Sequence, residues 1–144
     1  MRRLARMSVV AVSAAALFAA MSGVSYAWTQ PLSLCEGSEK DAGGVDCNVG
    51  FWTDLSYLDK AGSGWFTAYG EGLTAWDQHA DGYGVYAKAT WAAGGQSGEV
   101  WATGGSGDSK SVDLSFPEGA KITLKVCQTD NGGLYNCLSV TATA

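Results

Sequence analysis

Ser111-Val112-Asp113-Leu114-Ser115-Phe116, then Pro117-Glu118-Gly119, then Ile122-Thr123-Leu124-Lys125-Val126-Cys127 is the stretch that decides the fold. Apolar and polar residues alternate with period two on both sides of a turn, as in strands with one face on a core. Val112, Leu114 and Phe116 are predicted to point inward on the first strand. Ile122, Leu124 and Val126 do the same on the second, leaving Thr123 and Lys125 to water. Proline presets φ and glycine takes positive φ, so Pro-Glu-Gly makes the turn.

Downstream, Cys127 and Cys137 lie symmetrically about Gly132 in Thr129-Asp130-Asn131-Gly132-Gly133, a strong hairpin composition. That symmetry predicts two cysteines facing each other across paired strands, where a disulfide is geometrically possible. Leu138, Val140 and Ala142 continue the last strand.

Upstream the pattern is less regular. Tyr83 to Trp91 reads as a strand with Val85, Ala87, Ala89 and Trp91 on one face and Tyr86, Lys88 and Thr90 on the other. Ala93 to Gly98 reads as a loop, Glu99 to Thr103 as the return strand and Gly104 to Asp108 as a further connection. Gly50 to Leu58 and Ser63 to Tyr69 are predicted strands around a Lys60-Ala61-Gly62 turn. Glu71 to His79 is ambiguous, since Leu73, Trp76 and His79 also fit a helical turn. Short strands at about ten-residue spacing with Gly-rich turns predict an all-β domain, a small sandwich or barrel of about 7–8 antiparallel strands.

The other end of the chain sets the compartment. Arg2, Arg3 and Arg6 precede an apolar run from about Met7 to Met21, and Ser25-Tyr26-Ala27 offers small residues for cleavage. Residues 1–27 therefore read as a secretory signal peptide, residues 28–34 as an extended N-terminal arm and residues 35–144 as a single β domain. All three arginines fall in the signal. The remaining 117 residues set six lysines against fourteen acids, a net charge of −8. That sign opposes binding to nucleic acid or to anionic lipid.

Four cysteines, Cys35, Cys47, Cys127 and Cys137, in an exported chain read as two disulfides. Three connectivities are possible. Cys35–Cys47 and Cys127–Cys137 are favoured because each pair flanks a loop rich in Gly, Asp and Asn. A zinc site is disfavoured, with no C-x-x-C and a single histidine.

Few residues suggest chemistry. On a strand, Asp77, His79 and Asp81 would share one face and could hold an ion or orient a base; the favoured reading is a polar turn leading into the Tyr83 strand, since Asp81-Gly82 is a standard turn pair. No Gly-x-Ser-x-Gly elbow is present. The expectation is a non-catalytic protein without cofactor or metal. Fourteen aromatics in the mature chain supply apolar faces, and Trp52, Trp65, Trp76, Trp91 and Trp101 are read mainly as core and inter-strand packing. Exposed tryptophans would instead suit sugar rings. The arm offers Trp28, Pro31, Leu32 and Leu34 as candidate partner-binding residues, because an extended apolar segment can be captured by a groove or sheet edge. The opposite reading folds it back as an edge strand. Glu36 to Asp46, with Lys40, is a candidate inhibitory loop.

The signal style, the Gly-rich strands and Lys125-Val126-Cys127-Gln128 … Tyr135-Asn136-Cys137-Leu138 resemble small exported proteins of streptomycetes and their relatives. Within that group the chain resembles the small adaptor subunits of umbrella toxin particles, secreted antibacterial assemblies of a large repeat-bearing toxin polypeptide, lectin subunits and an adaptor. The resemblance rests on size, export, the Cys-flanked hairpin and the arm, without a diagnostic motif. It implies that Trp28 to Leu34 enters a groove on the lectin subunit and that the folded domain contacts the toxin repeats. A stand-alone sugar-binding module and a secreted hydrolase inhibitor are the competing readings.

Overall fold

The computed structural model describes residues 31–52 and 60–144. The expected signal peptide and Trp28 lie outside the described residues. Nine strands run in order: β1 (Leu32–Gly37), β2 (Val45–Trp52), β3 (Lys60–Thr67), β4 (Gly72–Asp77), β5 (Gly84–Trp91), β6 (Gln96–Ala102), β7 (Ser109–Asp113), β8 (Lys121–Asp130) and β9 (Gly133–Thr143). Every pairing is antiparallel, along the path β6-β5-β8-β9-β2-β3-β4-β7, with β1 paired to β2. The sheet curls until its ends, β6 and β7, lie near each other as a nearly closed barrel. The fold is all-β and carries two disulfides, Cys35–Cys47 and Cys127–Cys137.

Alternation builds the interior. Val49, Phe51, Phe66, Leu73, Ile122, Leu124 and Val126 are at most 1% exposed and face one another across the barrel. Two glycines let the walls approach. A Cβ at Gly64 would stand 2.8 Å from both Val126 methyls and 3.1 Å from the Ala87 Cβ, and one at Gly62 would strike a Val85 methyl. Any larger residue there would push β3 off β5 and β8.

The β8–β9 hairpin shows how one residue places a disulfide. Asn131 (φ 47°) and Gly132 (φ 79°) form a two-residue turn with Asp130 opposite Gly133, as left-handed Asn-Gly pairs favour. In that register Gln128 faces Tyr135, so Cys127 would face Asn136. A bulge intervenes. Asn136 turns left-handed (φ 47°), β9 gains one residue, and Val126 is opposite Leu138. Cys137 is thereby brought within reach of Cys127, Cα to Cα 4.1 Å.

Several expectations change. The strand predicted at 111–116 is β7, Ser109–Asp113. Beyond it the chain bends because Glu71 captures it: the Leu114 and Phe116 amides donate to the Glu71 carbonyl (3.1 Å) and carboxylate (2.9 Å). Phe116 still reaches the core beside Phe66, while Val112 and Leu114 are only partly buried. Lys60-Ala61-Gly62 is not a turn but the start of β3, since Gly62 pairs with Phe51 and serves the close approach. Residues 53–58 of the predicted Gly50–Leu58 strand lie outside the described residues. Glu71–His79 resolves as strand β4, with Leu73, Ala75 and Asp77 inward and Trp76 outward. Gln96–Gly98, read as loop, belongs to β6, which follows a single 3-10 turn at Ala92–Gly94.

Of the expected arm, Leu32–Leu34 is not free but forms the first half of β1. It is hydrogen-bonded to β2 in the register Leu32↔Gly50, Ser33↔Val49 and Leu34↔Asn48, and Pro31 stands just before it. The tryptophans divide the expectation of core and inter-strand packing: Trp91 packs against the margin of the core and Trp65 meets Trp76 across β3 and β4, but none of the five is fully buried. Phe51, Phe66 and Phe116 fill the interior, whereas Trp52, Trp65, Trp76, Trp91 and Trp101 all keep solvent-exposed surface. An indole is too large for a barrel whose walls close on glycine.

Candidate functional site

The outer face of β1 to β4 gathers what the interior rejects. Pairing registers fix two rows across it: Leu34, Asn48, Trp65, Thr74 and Ser111, and beside them Leu32, Gly50, Ser63, Trp76 and Ser109. Trp65 and Trp76 meet edge to face, ring centroids 6.4 Å apart at 78°. Trp52 lies over Gly50, where a Cβ would stand 2.7 Å from the indole. The Lys60 ammonium sits 5.4 Å from the Trp52 ring centre, and burial pulls its pKa down. Leu34 is 65% exposed, Leu32 44% and Trp76 39%. Between them runs a groove of about 340 Å³ lined by Leu34, Trp65 and Trp76, with Glu36, Asn48 and Lys60 at its polar margin.

Contiguous apolar side chains on a water-facing sheet call for an explanation, whereas scattered ones do not. The surface offers flat aromatic faces, two leucines and a few hydrogen-bonding groups. Its chemistry is stacking and apolar contact. β1 adds a second property: it pairs with β2 and with no other described strand, and all six of its residues are exposed. Its outer edge pairs with no further strand among the described residues, and β9 lies near it.

A separate cleft of about 830 Å³ opens where the end of β4, residues 79–84, the β6–β7 connection and the β8–β9 turn converge. Asp77 and His79 line it. Asp77 ends β4 facing inward, 1% exposed, and its carboxylate accepts the His79 amide at 3.3 Å. Burial raises its pKa, with Asp81 and Asp108 adding to the rise against that hydrogen bond. Asp81 stands in the turn expected of Asp81-Gly82, not on a strand face with Asp77. Its carboxylate accepts the Tyr83 amide at 2.9 Å and holds the bend before β5. Among the described residues no three His, Cys, Asp or Glu side chains converge to hold a metal ion.

The outer face of β5, β6 and β8 is occupied differently. Tyr86 packs on Trp101 (4.4 Å between centroids), stands opposite Cys127 and donates to Glu99 at 2.9 Å. Burial, then the Glu99 bond, push its pKa up to about 12. At the β1–β2 hairpin tip, Lys40 reaches over Tyr69 at 6.0 Å from the ring centre.

The structure therefore joins Leu34 in one groove with Trp65 and Trp76, which sequence reading had given to core or inter-strand packing. Strand parity carried the signal. Trp65 is adjacent to the inward Phe66, and Trp76 differs by an odd number from the inward Leu73, so both must face out once their strands are recognised.

No family model, no curated protein and no solved structure matches this chain. No helix among the described residues is long and apolar enough to cross a membrane. Together with the two disulfides this is compatible with an extracellular protein.

Proposed function

We propose that the protein is a secreted, non-catalytic docking module, an adaptor whose β1 edge and neighbouring aromatic face take a partner protein. The observation that carries the reading is the cluster of Leu32, Leu34, Trp65 and Trp76 on water-facing strands beside an open sheet edge. Edge strands are normally guarded by charge, proline or brevity; Pro31 and Glu36 stand towards the two ends of β1, and the uncharged stretch from Leu32 to Leu34 between them suits strand addition. Main-chain hydrogen bonds along β1 would supply affinity, and the tryptophan groove would select side chains. The leader-like residues 1–27 and the disulfides support export.

The partners follow from the resemblance to umbrella-particle adaptors: a lectin subunit and a large toxin chain within an extracellular antibacterial complex. Purification from producer culture supernatant tests this. The wild type is expected to bring down large co-secreted chains, and Leu34→Asp to lose them while remaining folded. A protein that runs alone as a monomer, or a Leu34→Asp variant that keeps every partner, would overturn the proposal.

A second reading is supported by the perpendicular Trp65–Trp76 pair with Asn48 beside it, an arrangement suited to a pyranose ring. Glycan-array binding that Trp76→Ala abolishes would favour it over the adaptor.

A further inference from the structure

We infer that the cleft at the end of the barrel is a second binding site, one that takes an organic cation: an ammonium or guanidinium group on an aliphatic stem. The argument uses residues other than those of the aromatic face.

Asp77 is the starting point. A carboxylate this deeply buried ordinarily has a cationic partner or a full set of donors. Here it lines the cleft at 1% exposure and accepts the His79 amide at 3.3 Å, and no lysine among the described residues pairs with it. Asp81 and Asp108 lie close enough to act on it electrostatically, and His79 acts on it in the opposite sense. Lys110, which follows Asp108 in the chain, is engaged at 2.9 Å by the Asp108 carboxylate. A second acid, Asp130, lines it from the β8–β9 turn, and no lysine is among the described residues that line the cleft.

The shape selects among cations. Divalent calcium needs six to eight oxygens converging on one point. The described carboxylates do not converge in that way. Two of them, Asp77 and Asp130, line a space of about 830 Å³, the scale of small-molecule sites, with Trp101 and Tyr83 among its walls. Aromatic faces and dispersed carboxylates together stabilise a large, weakly hydrated cation through cation–π and charge-assisted hydrogen bonds. Thr129, 2% exposed and also lining the cleft, adds a hydroxyl.

The test is amide chemical-shift titration of the exported, oxidised protein. The probes are Nα-acetyl-lysine methylamide, its uncharged norleucine counterpart, putrescine and calcium chloride. Saturable shifts of the Gly82, Gly105 and Gly132 amides are expected with the lysine derivative and none with the norleucine one. Asp77→Asn and Asp130→Asn should each weaken binding about tenfold, as loss of one charge-assisted contact predicts. Asp130→Asn replaces a partly exposed side chain, so its result stands even if Asp77→Asn misfolds. A response to the lysine derivative but not to putrescine assigns the site to a peptide side chain; the reverse assigns it to a free amine. Equal shifts with norleucine, equal shifts with calcium alone, or no saturable shift with either amine would overturn the inference.

Discussion

The two faces of β3 and β4 differ more than any two regions of the chain. Inward stand Gly62, Gly64, Phe66, Leu73 and Ala75, packed against β5 and β8 with no space for one further methyl group at the glycines. Outward, on the same strands, stand Trp65 and Trp76, larger, the first partly buried and the second 39% exposed. The inner face shows what holds the fold: small residues where walls meet and medium-sized ones where they part. The outer face carries apolar area beyond what the fold needs, and that surplus marks it for another molecule.

Mutations should separate the two faces, the largest effect first. Phe66→Ala empties a wholly buried site and should cost about 3–5 kcal/mol in urea unfolding. A loss below about 1 kcal/mol would mean that the interior is not packed as described.

The disulfides sharpen the contrast. They span 12 and 10 residues, so replacing either pair by serine should cost a similar amount, about 2–3 kcal/mol on chain-entropy grounds. Their local consequences should differ. β8 and β9 are held by buried Ile122, Leu124, Val126 and Ala142, whereas β1 buries no side chain. Removing Cys35–Cys47 should therefore abolish amide protection in β1 and binding along its edge. Removing Cys127–Cys137 should leave β8 protected. Hydrogen exchange reads both; equal loss at the two hairpins would erase the distinction.

Gly64→Ala asks whether the walls meet as closely as described. Its Cβ would crowd Val126 and Ala87, at a cost of about 1–3 kcal/mol. Trp76→Ala on the outer face should cost only about 1 kcal/mol of stability or less, the worth of a partly exposed aromatic pair. It should nevertheless abolish partner or glycan binding. Large destabilisation with binding intact would reassign the outer face to structure.

Asp77 provides the smallest effect, and its sign is fixed. Burial raises its folded pKa above the usual 3.8, so ionisation opposes folding and the wild type loses stability as pH rises through that pKa. Asp77→Asn should be more stable than wild type at pH 7, with the gain shrinking towards pH 3. A gain independent of pH would show that desolvation of the charge is not its source.

Much of the fold was legible in local pattern. Period-two alternation at Ile122, Leu124 and Val126, the Asn131-Gly132 turn and the cysteine spacing depend on residues close in sequence, where the strand period and turn chemistry act directly. Strand ends were less so. That Leu114 leaves β7 depends on Glu71, more than forty positions earlier, which alternation along residues 111–116 does not reveal.

The candidate site was read in pieces. Leu32 and Leu34 stood out as apolar residues ahead of a disulfide, but the tryptophans beside them were assigned to core or inter-strand packing, and the core half of that assignment does not hold for Trp65 and Trp76. What reversed that was the spacing between walls, which depends on glycines in β3 meeting Val85 and Val126 of distant strands. The Asn136 bulge is of the same kind. Sequence symmetry put the cysteines in one hairpin, and a left-handed residue moved one of them into place.

Taken alone, the amino-acid order determined the all-β class, the two-cysteine hairpins and the acidic balance, because each follows from residue type and short-range spacing. Tertiary structure alone decided that Trp65 and Trp76 stand on the outer face, that β1 pairs with no described strand but β2 and that Asp77 lies in a cleft whose described lining holds no lysine. Those features depend on which strands become neighbours, and pairing between distant segments is set by the packing of the whole barrel.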